Sequence, residues 1–177
     1  MKHHVLEAHF DDETAHRLDG LRQSLYEQGL MGRAPYGQPH ISLASFAAGD
    51  LPGWQGRLDE LAERPAIAVT LSYLGLFPGR NAVLYLGVTP TAELGDLHAA
   101  AHRVVAANAV DLLELYGPDR IVFHATLGSV GDRGLGRAVE SLNTLELPLS
   151  GRLQRLALVE YSPARLLVES SLEGSRL

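Results

Sequence analysis

PHISLASF, residues 39–46, and FHATLGSV, residues 123–130, are two versions of one pattern: an apolar run broken by a histidine and, two places on, by a hydroxyl. The pairs are His40 with Ser42 and His124 with Thr126, the two histidines standing 84 positions apart. Successive side chains of a β-strand alternate faces, so His and Ser/Thr at i and i+2 project to one side. Ile41 and Leu43, or Ala125 and Leu127, point to the other. The apolar face builds a core and the polar face lines a groove, in which two such strands side by side would gather two imidazoles and two hydroxyls.

Outward from the first motif, Val5–Phe10 reads as a strand, and Asp11 or Asp12 can cap a helix with Ala15, Leu18, Leu21 and Leu25 on its buried side. Gly29 and Gly32 end that helix, and Arg33, Pro35 and Gly37 link it to the first histidine strand. Asp50 is the expected N-cap of a second helix, with Pro52 in its first turn, Trp54, Leu58 and Leu61 facing inward and Pro65 as its stop. A hairpin follows, from Ala66–Phe77 through Pro78-Gly79-Arg80-Asn81 to Ala82–Val88. Thr89 and Pro90 read as the N-cap and first residue of a long helix burying Leu94, Leu97, Ala101, Val104 and Val105 and fading near Ala109.

A loop through Gly117, Pro118, Asp119 and Arg120 reaches the second histidine strand. A weaker helix around Leu135, Val139 and Leu142 comes next, and strands near Arg152–Tyr161 and Arg165–Leu172, turned by Ser162-Pro163, close the chain. The order strand, helix, histidine strand, helix, strand thus occurs twice, as a repeat of pattern rather than of residues. No linker or low-complexity stretch divides the halves. The expected fold is a single α+β domain over residues 1–177 with both histidine strands at a pseudo-twofold centre.

Composition narrows the function. The 177 residues, 46% hydrophobic, suffice for one sizeable core. No apolar run approaches the roughly 18 to 20 residues a membrane helix needs, and MKHHVLEAHF lacks a signal-peptide core, so a cytoplasmic protein with no membrane partner is expected. With no cysteine there is no disulfide, thiolate metal site or cysteine nucleophile. A net charge of −6 argues against coating long nucleic acid through a broad basic face, but not against gripping one phosphate. Of the fifteen Lys and Arg, fourteen are Arg, a bias that genome base composition also produces.

Two histidines opposed across a groove can divide general base and general acid work, because an ordinary imidazole pKa near 6.5 lets one be neutral and the other protonated near pH 7. In-line phosphodiester cleavage needs that division. One imidazole takes a proton from the attacking water or hydroxyl and the other gives one to the departing oxygen. Ser42 and Thr126 can hydrogen-bond the non-bridging oxygens. Such a mechanism calls for no cofactor and no metal, and no carboxylate cluster suited to a metal is evident.

PHISLASF and FHATLGSV resemble the paired His-x-Thr/Ser-x motifs of the two-histidine (2H) phosphoesterase superfamily, which includes 2'-5' RNA ligase-like proteins and 2',3'-cyclic phosphodiesterases. YLGLFPG followed by AVLYLGV, the long helix and the second motif are similar to that family's middle section, so the resemblance covers nearly the whole chain. It implies a bilobal fold of two pseudo-symmetric antiparallel sheets with outer helices. It also implies a metal-free hydrolase acting on cyclic or 2'-linked phosphodiesters of RNA ends or small nucleotides, with reverse 2'-5' ligation as a side activity. His40 and His124 become the acid and base, His40 by analogy at the leaving O3' and His124 at water, with the exchanged assignment open; Ser42 and Thr126 hold the phosphate.

Many RNA ligase-like members carry an Arg shortly after the second motif, where this chain has Gly128 and Ser129. Arg80 and Arg120 are the candidates to substitute. Tyr36, Tyr85 and Tyr161 are candidates for base stacking. One rival reading is a non-catalytic nucleotide or RNA-end-binding module using the same groove; another is a metal-dependent hydrolase using the remaining histidines. His98 and His102, four apart, share a helix face without the glutamate of an HExxH site and are expected at the surface. His3 and His4 read as exposed or tag-like, and His9 as able to reach the groove. Gly128–Gly136 lacks the Gly-Lys-Ser/Thr ending of a P-loop. No obligate protein partner is evident.

Overall fold

The computed structural model describes residues 3–32, 36–49, 52–131, 133–161 and 163–173. In chain order the elements are β1 (His3–Phe10), α1 (Asp12–Glu27), β2 (His40–Gly49), α2 (Trp54–Ala62), β3 (Ile67–Phe77), β4 (Asn81–Val88), α3 (Ala92–Asn108) and β5 (Ala109–Leu112). A 3₁₀ turn (Glu114–Tyr116), β6 (His124–Gly131), α4 (Leu135–Leu142), β7 (Leu149–Tyr161) and β8 (Arg165–Ser171) complete them.

Every named strand pair is antiparallel, in the order β1-β2-β6-β4-β3-β7-β8, with β5 pairing the far end of β2 off this path. Because β1 also pairs with β7, six strands close a ring, β1-β2-β6-β4-β3-β7. The two expected sheets are therefore joined into one hydrogen-bonded network. A pseudo-twofold axis crossing the ring between β2 and β6 and between β3 and β7 exchanges β1 with β4, β2 with β6 and β3 with β7.

Register makes the symmetry concrete. Ile41 pairs with Ala125, the same motif position on both strands. Glu7 lies opposite Ser42 and His9 opposite His40; Tyr85 lies opposite Thr126 and Gly87 opposite His124. Each histidine strand also bulges one residue past its hydroxyl, where the partner register shifts at Leu6/Glu7 and at Leu84/Tyr85. The inserted residue, Leu43 or Leu127, turns the next position over, so that Ser45 and Ser129 regain the groove face.

The other face is the core. Leu6, Ala8 and Phe10 of β1, Ile41 and Leu43 of β2, Leu84 and Leu86 of β4, and Ala125 and Leu127 of β6 are at most 1% exposed. Leu18 and Leu25 of α1, Leu58 of α2, Leu94, Leu97 and Val105 of α3 and Ala138 of α4 pack onto them. Burying one such large aliphatic side chain stabilises by about 1.5–3 kcal/mol, and this row is what holds the motif strands in register.

Local structure departs from the sequence reading in three places. The long helix begins two residues late: the Thr89 amide still donates to the Thr70 carbonyl at 2.9 Å and its hydroxyl shares a bond with Ser72, so Thr91 caps, accepting from the Leu94 amide. The stretch after that helix is not all loop, since Ala109–Leu112 adds β5 to β2 before the 3₁₀ turn. For the second helix, the residue at the N-cap is Gly53 at φ +87, a left-handed conformation glycine adopts without cost. Asp50, Arg33, Pro35 and Ser162 lie outside the described residues. Asp11 is the cap of α1 as expected, its carboxylate accepting from the Thr14 amide at 2.9 Å. Among the described residues no helix is long and apolar enough to cross a membrane.

Candidate active site

β2 and β6 bring the two motifs together. With Ile41 opposite Ala125, antiparallel register sets His40 toward Thr126 and Ser42 toward His124, a diagonal arrangement around the pseudo-twofold axis. A cleft of about 450 Å³ opens there, lined by His40, Ser42 and Thr126 of the motifs and by Ser45 and Ser129 beyond the bulges. His124 is not in that lining; it stands beside the cleft, half-buried, with Tyr85 at 5.0 Å and the edge of Phe77 at 4.9 Å between ring centroids.

Both imidazoles are held the same way. His40 Nδ1 lies 2.8 Å from the Gln38 carbonyl and His124 Nδ1 lies 2.6 Å from the Val122 carbonyl, in each case the residue two before. A carbonyl oxygen only accepts, so Nδ1 carries the hydrogen and Nε2 is left to exchange a proton with a ligand. Pro39 contributes by favouring an extended Gln38. Burial lowers the pKa of His40; the Glu7 charge and the Gln38 carbonyl work against that, and His9 and Arg22 add to it. Burial likewise lowers His124, opposed by the Val122 carbonyl and reinforced by the charge of His40. Two imidazoles that feel each other and are kept off full protonation can exchange protons near neutrality.

Around the motifs lies a polar network that the sequence reading missed. Glu7, 2% exposed, sits in the middle of β1. Its carboxylate accepts from Tyr161 Oη at 2.6 Å and bonds His9 Nε2 at 2.8 Å, and it lies 3.4 Å from His40 Nδ1. Burial and the Glu7 charge together drive the Tyr161 phenol far above its ordinary pKa, so it is a donor. Tyr116, from the 3₁₀ turn, lines the cleft and is bonded to Ser42. Arg22 of α1 lines it too, 7% exposed, donating to the carbonyls of Tyr36 at 2.8 Å and Gly37 at 3.1 Å and pairing with Asp19. A signal for Glu7 was present: an acid inside the apolar strand VLEAHF, on the face of His9 rather than that of Leu6 and Ala8.

The other expected residues divide. Tyr36, 47% exposed, and Tyr161 line the cleft with ring centroids 6.3 Å apart, edge to face. Tyr85 is buried against His124 and does not line it. Arg80 borders a separate depression with Asn81 and Arg133, and Arg120 is exposed in an ion pair with Glu114 at 3.3 Å. Neither arginine reaches the cleft; Arg22 does, because α1 crosses behind the segment that leads into His40.

Three of the six histidines outside the motifs, His4, His9 and His98, are buried. His98 was expected at the surface, yet it is 2% exposed, bonded to the Tyr116 carbonyl at 2.9 Å and packed edge-on against Phe123. It ties the turn carrying Tyr116 to the residue before His124. His3 lines the cleft and is bonded to Ser45, while His4 is 4% exposed and stacks on Phe46. His9 is buried behind His40, its ring centroid 6.2 Å away. Among the described residues no group of three or more His, Cys, Asp or Glu is arranged to hold a metal ion.

Comparison with known proteins agrees with this architecture. Residues 10–165 match the family model described as the 2'-5' RNA ligase superfamily. No curated protein sequence matches the chain. Among solved structures, TT0787 of Thermus thermophilus is 16% identical with a TM-score of 0.66, covering 98% of this chain and 100% of its own. E. coli LigT complexed with 3'-AMP is 12% identical with a TM-score of 0.59, over 97% of this chain and 98% of its own. Usb1 of Kluyveromyces marxianus is 12% identical with a TM-score of 0.55, over 94% of this chain and 97% of its own. At these identities the likeness is one of fold.

Proposed function

Because the chain belongs to the 2'-5' RNA ligase superfamily, we propose that it is a phosphodiesterase that hydrolyses 2',3'-cyclic or 2'-linked phosphodiesters of RNA ends or small nucleotides, with reverse 2'-5' ligation at the same site. The observation that carries this reading is the Ile41–Ala125 pair, which sets the two motifs side by side, with His40, Ser42 and Thr126 on the cleft wall and His124 next to it. LigT, a structural neighbour, has been crystallised with 3'-AMP and with ATP, both of them nucleotides.

In the proposed reaction a water oxygen attacks the cyclic phosphorus in line with a ribose oxygen on the opposite side. One motif imidazole removes the water proton at Nε2, the P–O bond opens, and the other imidazole delivers a proton from Nε2 to the leaving ribose oxygen. Ser42 and Thr126 hydrogen-bond the non-bridging oxygens as charge builds on them. The two proton transfers are supplied by the chain itself, so the reaction is proposed to run without a metal. Tyr36 and Tyr161 offer aromatic faces to the nucleoside beside the phosphate.

The test is to incubate the protein, with chelator present, with an oligonucleotide ending in a 2',3'-cyclic phosphate and with small cyclic nucleotides, and to identify the product. Turnover to a monophosphate ester, lost in His40→Ala and in His124→Ala, supports the reading. Nucleotide binding without turnover replaces it with the binding-module reading.

A further inference from the structure

The geometry points to Glu7 as a positioning residue that orients the His40 ring and supports it in the proton-donor role that the family resemblance implies for the first-motif histidine. This rests on the phosphodiesterase reading above.

The two halves of the ring are not chemically symmetric. The ring of strands maps β1 onto β4, with matching bulges and matching registers, so the residue opposite each motif hydroxyl is the same structural position in both halves. In one half it is Glu7, whose carboxylate Oε2 lies 3.4 Å from His40 Nδ1. In the other it is Tyr85, whose ring packs 5.0 Å from His124. Among the described residues His40 has a carboxylate partner and His124 has none. The next position on the strand differs as well: His9 stands behind Glu7, bonded to it at 2.8 Å, whereas its counterpart Gly87 leaves room that the Tyr73 ring fills.

Burial disfavours a charged His40, and the charges around it settle how far that is offset. The groups facing it are Glu7 and His9 from β1, Arg22 from α1 and His124 from β6, with Tyr161 of β7 and, through His9, Glu169 of β8 behind them. Arg22 opposes an imidazolium, and so do His9 and His124 when protonated; among the described residues Glu7 is the carboxylate in contact. Tyr161 fixes the other oxygen of Glu7, leaving Oε2 turned toward the two histidines. A buried carboxylate beside an imidazole favours its charged form and orients its ring. His124, flanked by aromatic rings and without that partner, is the imidazole suited to stay neutral and take the proton from water.

Glu7→Gln in the full chain tests this, since it keeps the shape and one acceptor and removes the charge. Ring resonances of His40 and His124, assigned from the His40→Ala and His124→Ala spectra, are titrated by NMR. The His40 midpoint is expected to fall by about one unit or more, and the His124 midpoint to stay or rise slightly as the opposing His40 charge is lost. In kinetics on a small cyclic nucleotide, the alkaline limb of the kcat profile should move to lower pH with the acidic limb and KM held, a loss of about tenfold at pH 7. Glu7→Asp should restore both.

An unmoved His40 midpoint overturns the inference, as does movement of the acidic limb instead. If Glu7→Gln fails to fold, Tyr161→Phe decides: it frees the Glu7 charge from one donor, so the His40 midpoint must rise, and no rise overturns the inference. Absence of any turnover by the wild-type chain counts against the proposed function instead, and the ring titration still reads whether Glu7 holds His40.

Discussion

Glu7 and Tyr85 occupy one structural position in the two halves of the chain, Glu7 opposite Ser42 and Tyr85 opposite Thr126, and the two catalytic candidates differ because of it. The backbone repeats; the chemistry behind each imidazole does not. That is how a symmetric scaffold can give two like side chains unlike protonation states.

The hydroxyls are expected to matter independently of the imidazoles. Thr126→Val preserves shape and removes the donor from the cleft wall, and Ser42→Ala also deprives Tyr116 of its partner. Each should lower kcat about 10²-fold, the scale for one oxyanion donor, with little change in the His40 and His124 ring titrations. Steady-state kinetics with unchanged near-UV circular dichroism checks this.

Tyr85 is seated by a glycine. A Cβ on Gly75 would overlap the Tyr85 ring, so Gly75→Ala must push that ring against or away from His124. The expected cost is about 1–3 kcal/mol of stability, the range for overpacking, together with a displaced His124 ring resonance. Gly79→Ala, whose nearest neighbour would be at 3.5 Å, is the matched control and should leave that resonance in place.

Arg22 is expected to govern substrate affinity by fixing the approach to His40. Arg22→Met leaves the Tyr36 and Gly37 carbonyls without their charged donor. Each such bond contributes about 1.5–3 kcal/mol, and the freed segment carries Tyr36 and Gln38 of the cleft wall. The melting temperature should fall and KM should rise more than kcat falls. Equal loss in kcat alone would contradict the role.

The cap of α1 gives the fold a dependence on acid. Burial works to raise the Asp11 pKa, but bonds from Thr14 and from the Arg152 amide outweigh it and the net shift is downward. A depressed carboxylate contributes stability above its unfolded pKa of about 3.9 and loses it as pH falls through the folded value. Asp11→Ala should cost about 1 kcal/mol near pH 7, and the difference from wild type should shrink below about pH 4. Urea melts at both pH values measure it.

The motif strands were legible because their information is local: alternation in PHISLASF and FHATLGSV states both the buried face and the groove face. The α+β class followed from the repeated pattern, and the antiparallel sheets from the family resemblance of the two motifs. Thr89 misled because Thr-Pro is an ordinary helix start, and only the Thr70 carbonyl, distant in sequence, keeps Thr89 in the ladder. His98 looked like half of a surface pair because spacing says which residues share a face, not which element covers that face; the 3₁₀ turn covers it. Arg80 and Arg120 were drawn from loops near the motifs, whereas Arg22 arrives from a helix whose crossing no local signal records. Glu7 was overlooked for a related reason. An acid in an apolar strand becomes meaningful once β1 is known to run between β2 and β7, which puts His40 and Tyr161 on either side of it.

The proposed reaction has both motif histidines act on one phosphorus, and a mutant cycle tests that most directly. His40→Ala, His124→Ala and the double variant are compared with wild type for kcat on a 2',3'-cyclic nucleotide, with folding verified by circular dichroism. Each single change is expected to cost about 10²–10⁴-fold, and the double change little more than the worse single, since an acid and a base serving one transition state fail together. Single losses of only a few-fold, or a double loss equal to the product of the two, would contradict a shared site.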